Sequence, residues 1–246
     1  MLESENRRLN MSFDFNQSQI NRWVAAQAAM VPTGSRVLDV GAGAGPYRQL
    51  FAHCEYRSQD FAQVPGFLGK YTTLDYVSDI KNIPVPDSSF DFILCTEVLE
   101  HVPEPILAVR EMARILRPGG KLLLTAPLGS FLHQEPYHFY GGYTPYWYKK
   151  FLPQVGLDII SIEPNRGFFI WFAQEAQRFS ALVDPRRTLG TNLGWLPLSL
   201  LWLITLPFCR MIFPLFARIL DKLGLEHIAM LGIYVIAEKQ ADLQIT

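Results

Sequence analysis

The stretch RVLDVGAGAG at residues 36–45 joins a short apolar run to a glycine-rich turn. The run at 36–40 is typical of a buried β-strand. Glycines allow positive φ angles and let the main chain pass close to a ligand. Pro46 suits the first turn of a helix, whose free N–H groups would point back at the turn. The stretch therefore predicts a strand–turn–helix unit that binds a small molecule at the turn.

The spacing of the glycines indicates which molecule this is. A dinucleotide-binding loop would have the pattern GxGxxG, but Pro46 stands where the third glycine would be. The pattern here is GxGxG with Asp39 two residues before the first glycine, which favours S-adenosylmethionine (SAM) over NAD. Asp60 ends the next predicted strand, where a carboxylate can accept both ribose hydroxyls; the alternative is a helix cap or a turn residue.

Outward from this unit, apolar strands alternate with helical patterns. Helices are predicted over 15–31, 105–116 and 144–155. Further strands are predicted over 55–59, 71–77, 90–95, 121–127, 157–163 and 230–238. Continuous apolar strands separated by helices predict a mostly parallel sheet that is covered on both faces.

Composition excludes several classes of protein. With 49% hydrophobic and 18% charged residues, the 246-residue chain is not disordered as a whole. Its net charge is −1 and it has no run of Lys or Arg, so we expect no nucleic-acid partner. Three scattered cysteines form no zinc spacing, and the polar start MLESENRRLNMS lacks the apolar core of a signal peptide. We therefore expect a cytoplasmic protein.

Several motifs occur in an order that resembles the class I SAM-dependent methyltransferases, in particular their type 11 group. They are VLDVGAGAG at 37–45, then Asp60, then SDIKNIPVPDSSFDFILCTEVLEHVPEP at 78–105, then ILRPGGKLLLTAP at 115–127. The resemblance runs from 36 to 156 and resumes at the last strand. It implies an α/β, Rossmann-like, doubly wound sheet of seven strands, mostly parallel with an antiparallel last strand, and helices on both faces.

The resemblance also implies a domain plan and a cofactor site. We expect one domain over 1–246, with a helical lead-in at 1–34, a cofactor-binding core at 35–165, a hydrophobic insert at 168–227 and the last strand at 228–238. Around the methionine part of SAM we expect Asp39, Gly41, Gly43 and Gly45. Asp60 would hold the ribose, and Asp79 with the main chain of Ile80 would read the adenine. Cys95 and Thr96 would flank the sulfonium.

Methyl transfer requires a positioned nucleophile and a group that takes up one proton. The segment HQEPYHFY at 133–140 places two histidines in a predicted substrate loop, and His138 or His133 is the preferred general base. The alternative is an aromatic cluster packed around the two rings. His101 is a further candidate base, or else it holds its own loop in place.

The spacing Glu97-x-x-Glu100-His101 suggests a second hypothesis. Some O-methyltransferases that act on quinone precursors or RNA 3′ ends use a similar set with a later histidine, here His133 or His138, to hold a divalent cation. Oxygen-rich ligands would suit Mg²⁺ or Mn²⁺. Because this pattern also occurs in relatives that need no metal, no residue is assigned as a metal ligand.

A stretch of 22 uncharged residues at 188–209 is long enough to span a membrane. A single crossing would separate the strands at 157–163 and 230–238, which the resemblance makes neighbours. Pro197, Pro207 and Pro214 are predicted to break the stretch into short helices, and basic residues with Trp195 and Trp202 suit an interface. The alternatives are attachment to a membrane surface through 188–222, and a buried cap or homodimer contact.

The predicted function is SAM-dependent methyl transfer, at oxygen, to a small or lipid-linked acceptor such as an isoprenoid quinone precursor or a sugar-lipid. The protein would work in the cytoplasm or on the inner face of a membrane. The alternatives are a SAM-binding module without turnover and an NAD-dependent oxidoreductase.

Overall fold

A computed structural model describes residues 15–64, 69–182, 184, 196–223 and 230–241. The chain divides into two compact units. The core unit comprises Gln19–Asn165 and Gly232–Thr246, and the helical unit comprises Met1–Ser18 and Arg166–Leu231. That the chain forms a single functional domain stays a prediction. The predictions for part of the insert, including the one for Trp195, concern residues outside the described ranges.

The core unit is built on one sheet of seven strands. In chain order these are β1 (Arg36–Val40), β2 (Glu55–Asp60), β3 (Tyr76–Val77), β4 (Phe90–Thr96), β5 (Leu116–Pro127), β6 (Leu157–Pro164) and β7 (Gly232–Lys239). Their order in the sheet is β3-β2-β1-β4-β5-β7-β6. Strands β1 to β5 pair in parallel, and β7 lies antiparallel between β5 and β6. The predicted fold class is confirmed.

Both faces of the central strands β1, β4 and β5 are largely buried. Helix α1 (Phe15–Met30) packs Val24 and Ala28 into a cluster with Leu94 and Leu123, because its apolar residues recur at helical spacing. The alternate strand residues point to the other face and are also buried. Among them are Leu38, Ile93, Leu122 and Leu124. Helix α2 (Pro105–Ile115) buries Val109 and Met112 in the same unit.

The helix predicted after Pro46 is wrong. The segment forms only a 3₁₀ turn, Arg48–Phe51, which buries Phe51. Strand β2 begins at Glu55, and the short connection leaves no room for several helical turns. Helix α3 (Pro145–Phe151) is also shorter than predicted, because a 3₁₀ turn at Pro153–Val155 follows it and Gly156 ends that turn with a φ of 78°.

The helical unit begins with α4 (Phe168–Leu182) and continues with α5 (Leu196–Pro207) and α6 (Phe213–Leu220). The break predicted at Pro207 and Pro214 is wrong, because a π turn at Phe208–Ile212 joins α5 to α6 without interruption. Pro214 cannot donate a helical hydrogen bond, and its ring would clash with the carbonyl four residues earlier in a regular helix. The wider π turn just before Pro214 accommodates this clash.

Packing within the helical unit is confined to one side of this long helix. Ile170 and Ala173 of α4 cluster with Ala217 of α6 and with Leu231. Trp202 is buried and its Nε1 donates to the carbonyl of Ser180 at 2.8 Å, so its predicted place at an interface is wrong. The helical run Ser199–Leu223 contains an 18-residue window with a mean hydropathy of 1.8 and is long and apolar enough, by length and composition, to cross a membrane.

Candidate active site

The residues predicted to bind the cofactor lie at the carboxyl ends of neighbouring strands. Strands β2 and β4 flank β1 on its two sides, so Asp60, the glycine turn and Thr96 all come to the same edge of the sheet. The connections that leave β1 and β4 at this edge run in opposite directions along the sheet, from β1 to β2 and from β4 to β5. In open α/β sheets this switch point is where ligands bind.

The glycine turn at 41–45 has a conformation that side chains oppose. Gly41, Gly43 and Gly45 have φ angles of 71°, 52° and 67°. A Cβ at Gly41 would lie 2.4 Å from Cγ2 of Val98, so this residue is also required by close packing. The carbonyl of Gly43 accepts from the N–H of Thr72 at 3.0 Å, which fixes the turn. The sequence prediction of a tight turn is confirmed.

Asp60 is joined to this turn. Its Oδ2 accepts from the N–H of Gly43 at 3.0 Å, and its Oδ1 accepts from the N–H of Ala62 at 2.9 Å. Only 8% of the residue is exposed. Each carboxylate oxygen can accept more than one hydrogen bond, so the group can hold the turn and still accept from a sugar hydroxyl.

Asp39 lies below the turn and is fully buried. The Tyr56 hydroxyl donates to its Oδ2 at 2.6 Å. Burial raises the pKa of Asp39 to about 7, the nearby Asp60 carboxylate adds to the rise, and the hydrogen bond from Tyr56 opposes it. A cationic ligand at the turn would favour the ionised form of Asp39.

The other predicted nucleoside contacts differ in exposure. Asp79 is exposed, and its Oδ1 accepts from the N–H of Lys81 at 2.9 Å, which leaves Oδ2 open to solvent beside the Lys81 ammonium. Ile80 is buried. Cys95 is buried as the neighbour of Val40 in the sheet, whereas Thr96 at the end of β4 is half-buried. Cys95 is therefore wholly enclosed, and its place beside the sulfonium stays a prediction.

The three histidines that the sequence analysis singled out lie together. The ring centroid of His101 is 4.8 Å from that of His133 and 5.8 Å from that of His138, and the last two are 4.6 Å apart. Burial lowers the pKa of His101 to about 4, and the neighbouring imidazoles lower it further while the hydrogen bond to Tyr137 opposes the shift. Burial and His133 also lower the pKa of His138. Both rings are neutral at pH 7.

Hydrogen bonds indicate which nitrogen of each ring carries the proton. Nδ1 of His101 faces the carbonyl of Tyr137 at 2.5 Å, and Nδ1 of His133 faces the carbonyl of Phe131 at 2.8 Å. A carbonyl only accepts, so both rings donate from Nδ1, and the neutral ring of His101 keeps a lone pair at Nε2.

For His138 the hydrogen-bond pattern is reversed. The Ser130 hydroxyl lies 3.0 Å from Nε2 of His138 and donates to the carbonyl of Gly141 at 3.2 Å. The ring therefore donates to Ser130 through Nε2, and Nδ1 carries the lone pair. No sequence pattern marks Ser130 as a functional residue, because a serine after a strand is common and has many other roles.

The loop that carries His133 and His138 is held against the turn at 99–101. The N–H groups of Phe139 and Tyr140 both donate to the carbonyl of Glu100, and the Tyr143 hydroxyl donates to the carbonyl of Leu99 at 2.7 Å. Gly142 lets the loop pass against Leu128, whose carbonyl atoms would lie 2.3 Å from a Cβ. The loop is therefore fixed at 139–143, close behind the histidines.

The predicted metal set does not form as expected. The ligand atoms of Glu100, His101 and His133 lie within 4.8 Å of one another, but Glu97 turns away and accepts from the Thr125 hydroxyl at 2.9 Å. Glu100 is buried, and burial followed by the charge of Glu97 raises its pKa well above the ordinary value. Two imidazoles and a single carboxyl group do not supply the oxygen-rich set of ligands that Mg²⁺ prefers.

Comparisons with known proteins agree with this geometry. A family model described as a methyltransferase domain matches residues 13–180. The ubiquinone biosynthesis O-methyltransferase of Xanthomonas axonopodis pv. citri is 34% identical over 108 residues, which are 40% of this chain and 45% of that protein. The demethylmenaquinone methyltransferase of Staphylococcus haemolyticus is 30% identical over 133 residues, which are 50% of this chain and 56% of that protein.

The chain thus spans about half the length of the curated relatives that it matches. Among solved structures, the cyclase SpnF superposes with a TM-score of 0.56 at 20% identity, covering 91% of this chain and 81% of SpnF. At that identity the likeness concerns the fold alone. The motifs, the sheet order and the matching family model agree, and the chain belongs to the class I SAM-dependent methyltransferase family.

Proposed function

We propose that this protein transfers the methyl group of SAM to a hydroxyl oxygen of a small or lipid-linked acceptor. The observation that carries the proposal is the group of three imidazoles, with centroids 4.6–5.8 Å apart, in the loops that follow β4 and β5. These loops lie at the same sheet edge as the glycine turn. An acceptor held there would have a base within reach.

SAM, when bound, supplies a methyl group on a sulfonium, whose sulfur leaves readily as a neutral thioether. The glycine turn would hold its amino-acid part, Asp60 the ribose, and Asp79 with the main chain of Ile80 the adenine. The protein must then align the acceptor oxygen with the methyl carbon and accept the hydroxyl proton as the C–O bond forms and the C–S bond breaks.

His138 and His133 are the proposed bases, with His101 behind them. Nδ1 of His138 and Nε2 of His133 take no part in the hydrogen bonds that fix the two rings. His101 is largely buried, and its side chain is 10% exposed. It is thus better placed to support His133 than to touch an acceptor. A neutral imidazole is the form that accepts a proton.

The proposed acceptor is a quinone precursor with an apolar substituent. The relatives from Xanthomonas and Staphylococcus are named for ubiquinone and demethylmenaquinone. The loop that carries the histidines also exposes Phe131 and Leu132 by 63% and 72%, and Phe139 by 47%. Exposed apolar side chains beside the base suit an acceptor with a hydrocarbon tail. We also propose that the enzyme works on the cytoplasmic face of a membrane, where such acceptors reside.

The test is transfer of tritiated methyl from SAM to phenolic quinone precursors, with and without an isoprenoid tail. We expect transfer to oxygen, and a kcat that falls by about 10²–10⁴-fold in His138→Gln or His133→Gln with unchanged SAM affinity. His53→Gln is the matched control, because His53 lies elsewhere and contacts the carbonyl of Val31. SAM binding without transfer to any acceptor would instead indicate a binding module, and binding of NAD in place of SAM would refute the proposal.

A further inference from the structure

The long helix of the helical unit exposes an unusual amount of apolar surface. Of the described residues between Leu200 and Leu223, eleven large apolar side chains are each more than half exposed. Together they present roughly 1,000 Å², whereas the largest apolar patch on a typical monomer is about 300–600 Å². A surface of this size in contact with water would be costly, so a partner covers it.

The distribution of these side chains indicates the kind of partner. Buried or half-buried positions follow one line along the helix, represented by Trp202, Phe213 and Ala217. Ile204, Met211 and other apolar residues are exposed on the remaining sides. A protein partner would need one continuous face, whereas a fluid hydrocarbon phase accommodates a helix that is apolar on nearly all sides.

The charges on the same helix point to anionic lipid. Arg210, Arg218 and Lys222 are exposed, while Asp221 is largely buried with Oδ2 3.6 Å from the Arg166 guanidinium. The exposed charges of the run are thus all positive and lie in its carboxyl-terminal half. The amino-terminal half, at 199–209, has no charged residue. Basic residues beside an apolar segment bind the headgroups of anionic lipids.

The strand connections argue against a crossing. Asn165 and Gly232 bound the insert, and the N–H of Asn165 donates to the carbonyl of Gly232 at 2.8 Å. The chain therefore leaves and rejoins the sheet at one place. One crossing would put these two residues on opposite sides of the bilayer, and the part of the insert that the structure describes contains no second run of sufficient length and hydropathy.

We propose that the helix Ser199–Leu223 lies in one leaflet of a membrane that contains anionic lipid, with its uncharged half in the hydrocarbon and Arg210, Arg218 and Lys222 at the headgroups. The inference rests on the proposed position of the enzyme at a membrane. It adds which surface of the protein contacts the membrane and how that surface is attached. The attachment does not involve the proposed catalytic histidines.

The test is flotation of the full-length protein with vesicles of phosphatidylcholine, alone or mixed with phosphatidylglycerol. We expect binding to the mixed vesicles and a loss of at least tenfold in the triple variant Leu203→Asp, Ile204→Asp, Leu215→Asp. These three side chains are 55–65% exposed, so the changes leave the packing of the unit intact. The matched control is Met30→Asp with Val77→Asp, at exposed apolar positions of the core unit. Arg218→Gln and Lys222→Gln should each weaken binding to mixed vesicles roughly five-fold.

Three results would overturn the inference. They are absence of binding to either kind of vesicle, equal loss of binding in the control variant, and a stable homodimer in solution that the triple variant converts to monomer. Because flotation needs no acceptor, its failure is separate from failure of the proposed function. Methyl transfer to a tail-free acceptor without vesicles should proceed equally in wild type and triple variant.

Discussion

Nδ1 of His101 donates to the main-chain carbonyl of Tyr137 across 2.5 Å and thereby joins the turn after β4 to the histidine loop after β5. The ring is largely buried, and its pKa of about 4 lies below the ordinary 6.5 because burial disfavours the imidazolium. The folded protein thus keeps this ring neutral. As the pH falls, the ring of the unfolded chain takes up a proton at a higher pH than the ring of the folded protein does.

From this relationship we predict an acid-sensitive contribution to stability. Because the folded pKa is the lower one, unfolding takes up a proton below about pH 6.5, and stability falls as the pH drops from there toward 4. His101→Gln should remove this part, so the loss between pH 7 and pH 5 shrinks by roughly 1–2 kcal/mol. Urea unfolding at the two pH values measures it, with His53→Gln as control. An unchanged pH dependence in His101→Gln would contradict the assignment.

The glycine turn provides a second prediction with an internal control. Gly41 and Gly34 have similar φ angles of 71° and 79°, but only at Gly41 would a Cβ meet Val98, whereas nothing lies within 4 Å at Gly34. Gly41→Ala should therefore weaken SAM binding at least tenfold, and Gly34→Ala should bind SAM normally although each loses about 1–2 kcal/mol of stability from the backbone. Calorimetric titration with SAM distinguishes them. Normal binding by Gly41→Ala would mean that the turn does not hold the cofactor.

Much of the core unit was predictable because its strands and its turn are determined by residues that are close together in the sequence. Continuous apolar runs such as those at 36–40 and 121–127 can be buried only in a covered sheet, and the glycines at 41–45 mark the turn between strand and ligand. The grouping of His101 with His133 was suggested only by the resemblance behind the metal hypothesis, and no local pattern predicts it, since it depends on the hydrogen bonds that attach one loop to the other.

The failures have a common cause in the surroundings of each residue. Pro46 favours a helix start, yet the short connection to β2 allowed only a 3₁₀ turn. Pro214 favours a break, yet a π turn absorbed it. Glu97 shares a helix-like spacing with Glu100, yet its φ of 52° and its bond from Thr125 turn it away. In each case tertiary context outweighed a correct local preference.

Substitutions of Asp60 and Asp79, the two carboxylates proposed to bind the nucleoside of SAM, should affect SAM affinity and the stability of the protein differently. Asp60→Ala removes the acceptor for the N–H groups of Gly43 and Ala62, so both SAM affinity and the free energy of unfolding should fall, each by about 1–3 kcal/mol. Asp79 is exposed, so Asp79→Ala should lower SAM affinity and leave stability within about 0.5 kcal/mol. SAM titration and thermal unfolding of both variants measure this. Unchanged affinity in both would show that the nucleoside lies elsewhere.

Asp39 should make the ligand-free protein less stable as the pH rises. Its folded pKa of about 7 exceeds the ordinary 3.8, so the folded protein keeps a proton that the unfolded chain releases above about pH 4. Stability from this group therefore declines between pH 4 and pH 7 and stays low above that. Asp39→Asn keeps an acceptor for the Tyr56 hydroxyl but carries no charge, so relative to wild type it should gain roughly 2–4 kcal/mol between pH 4 and pH 8. Denaturant unfolding of the two proteins across this range measures the gain, and parallel stability curves would mean that Asp39 is ionised in the folded state.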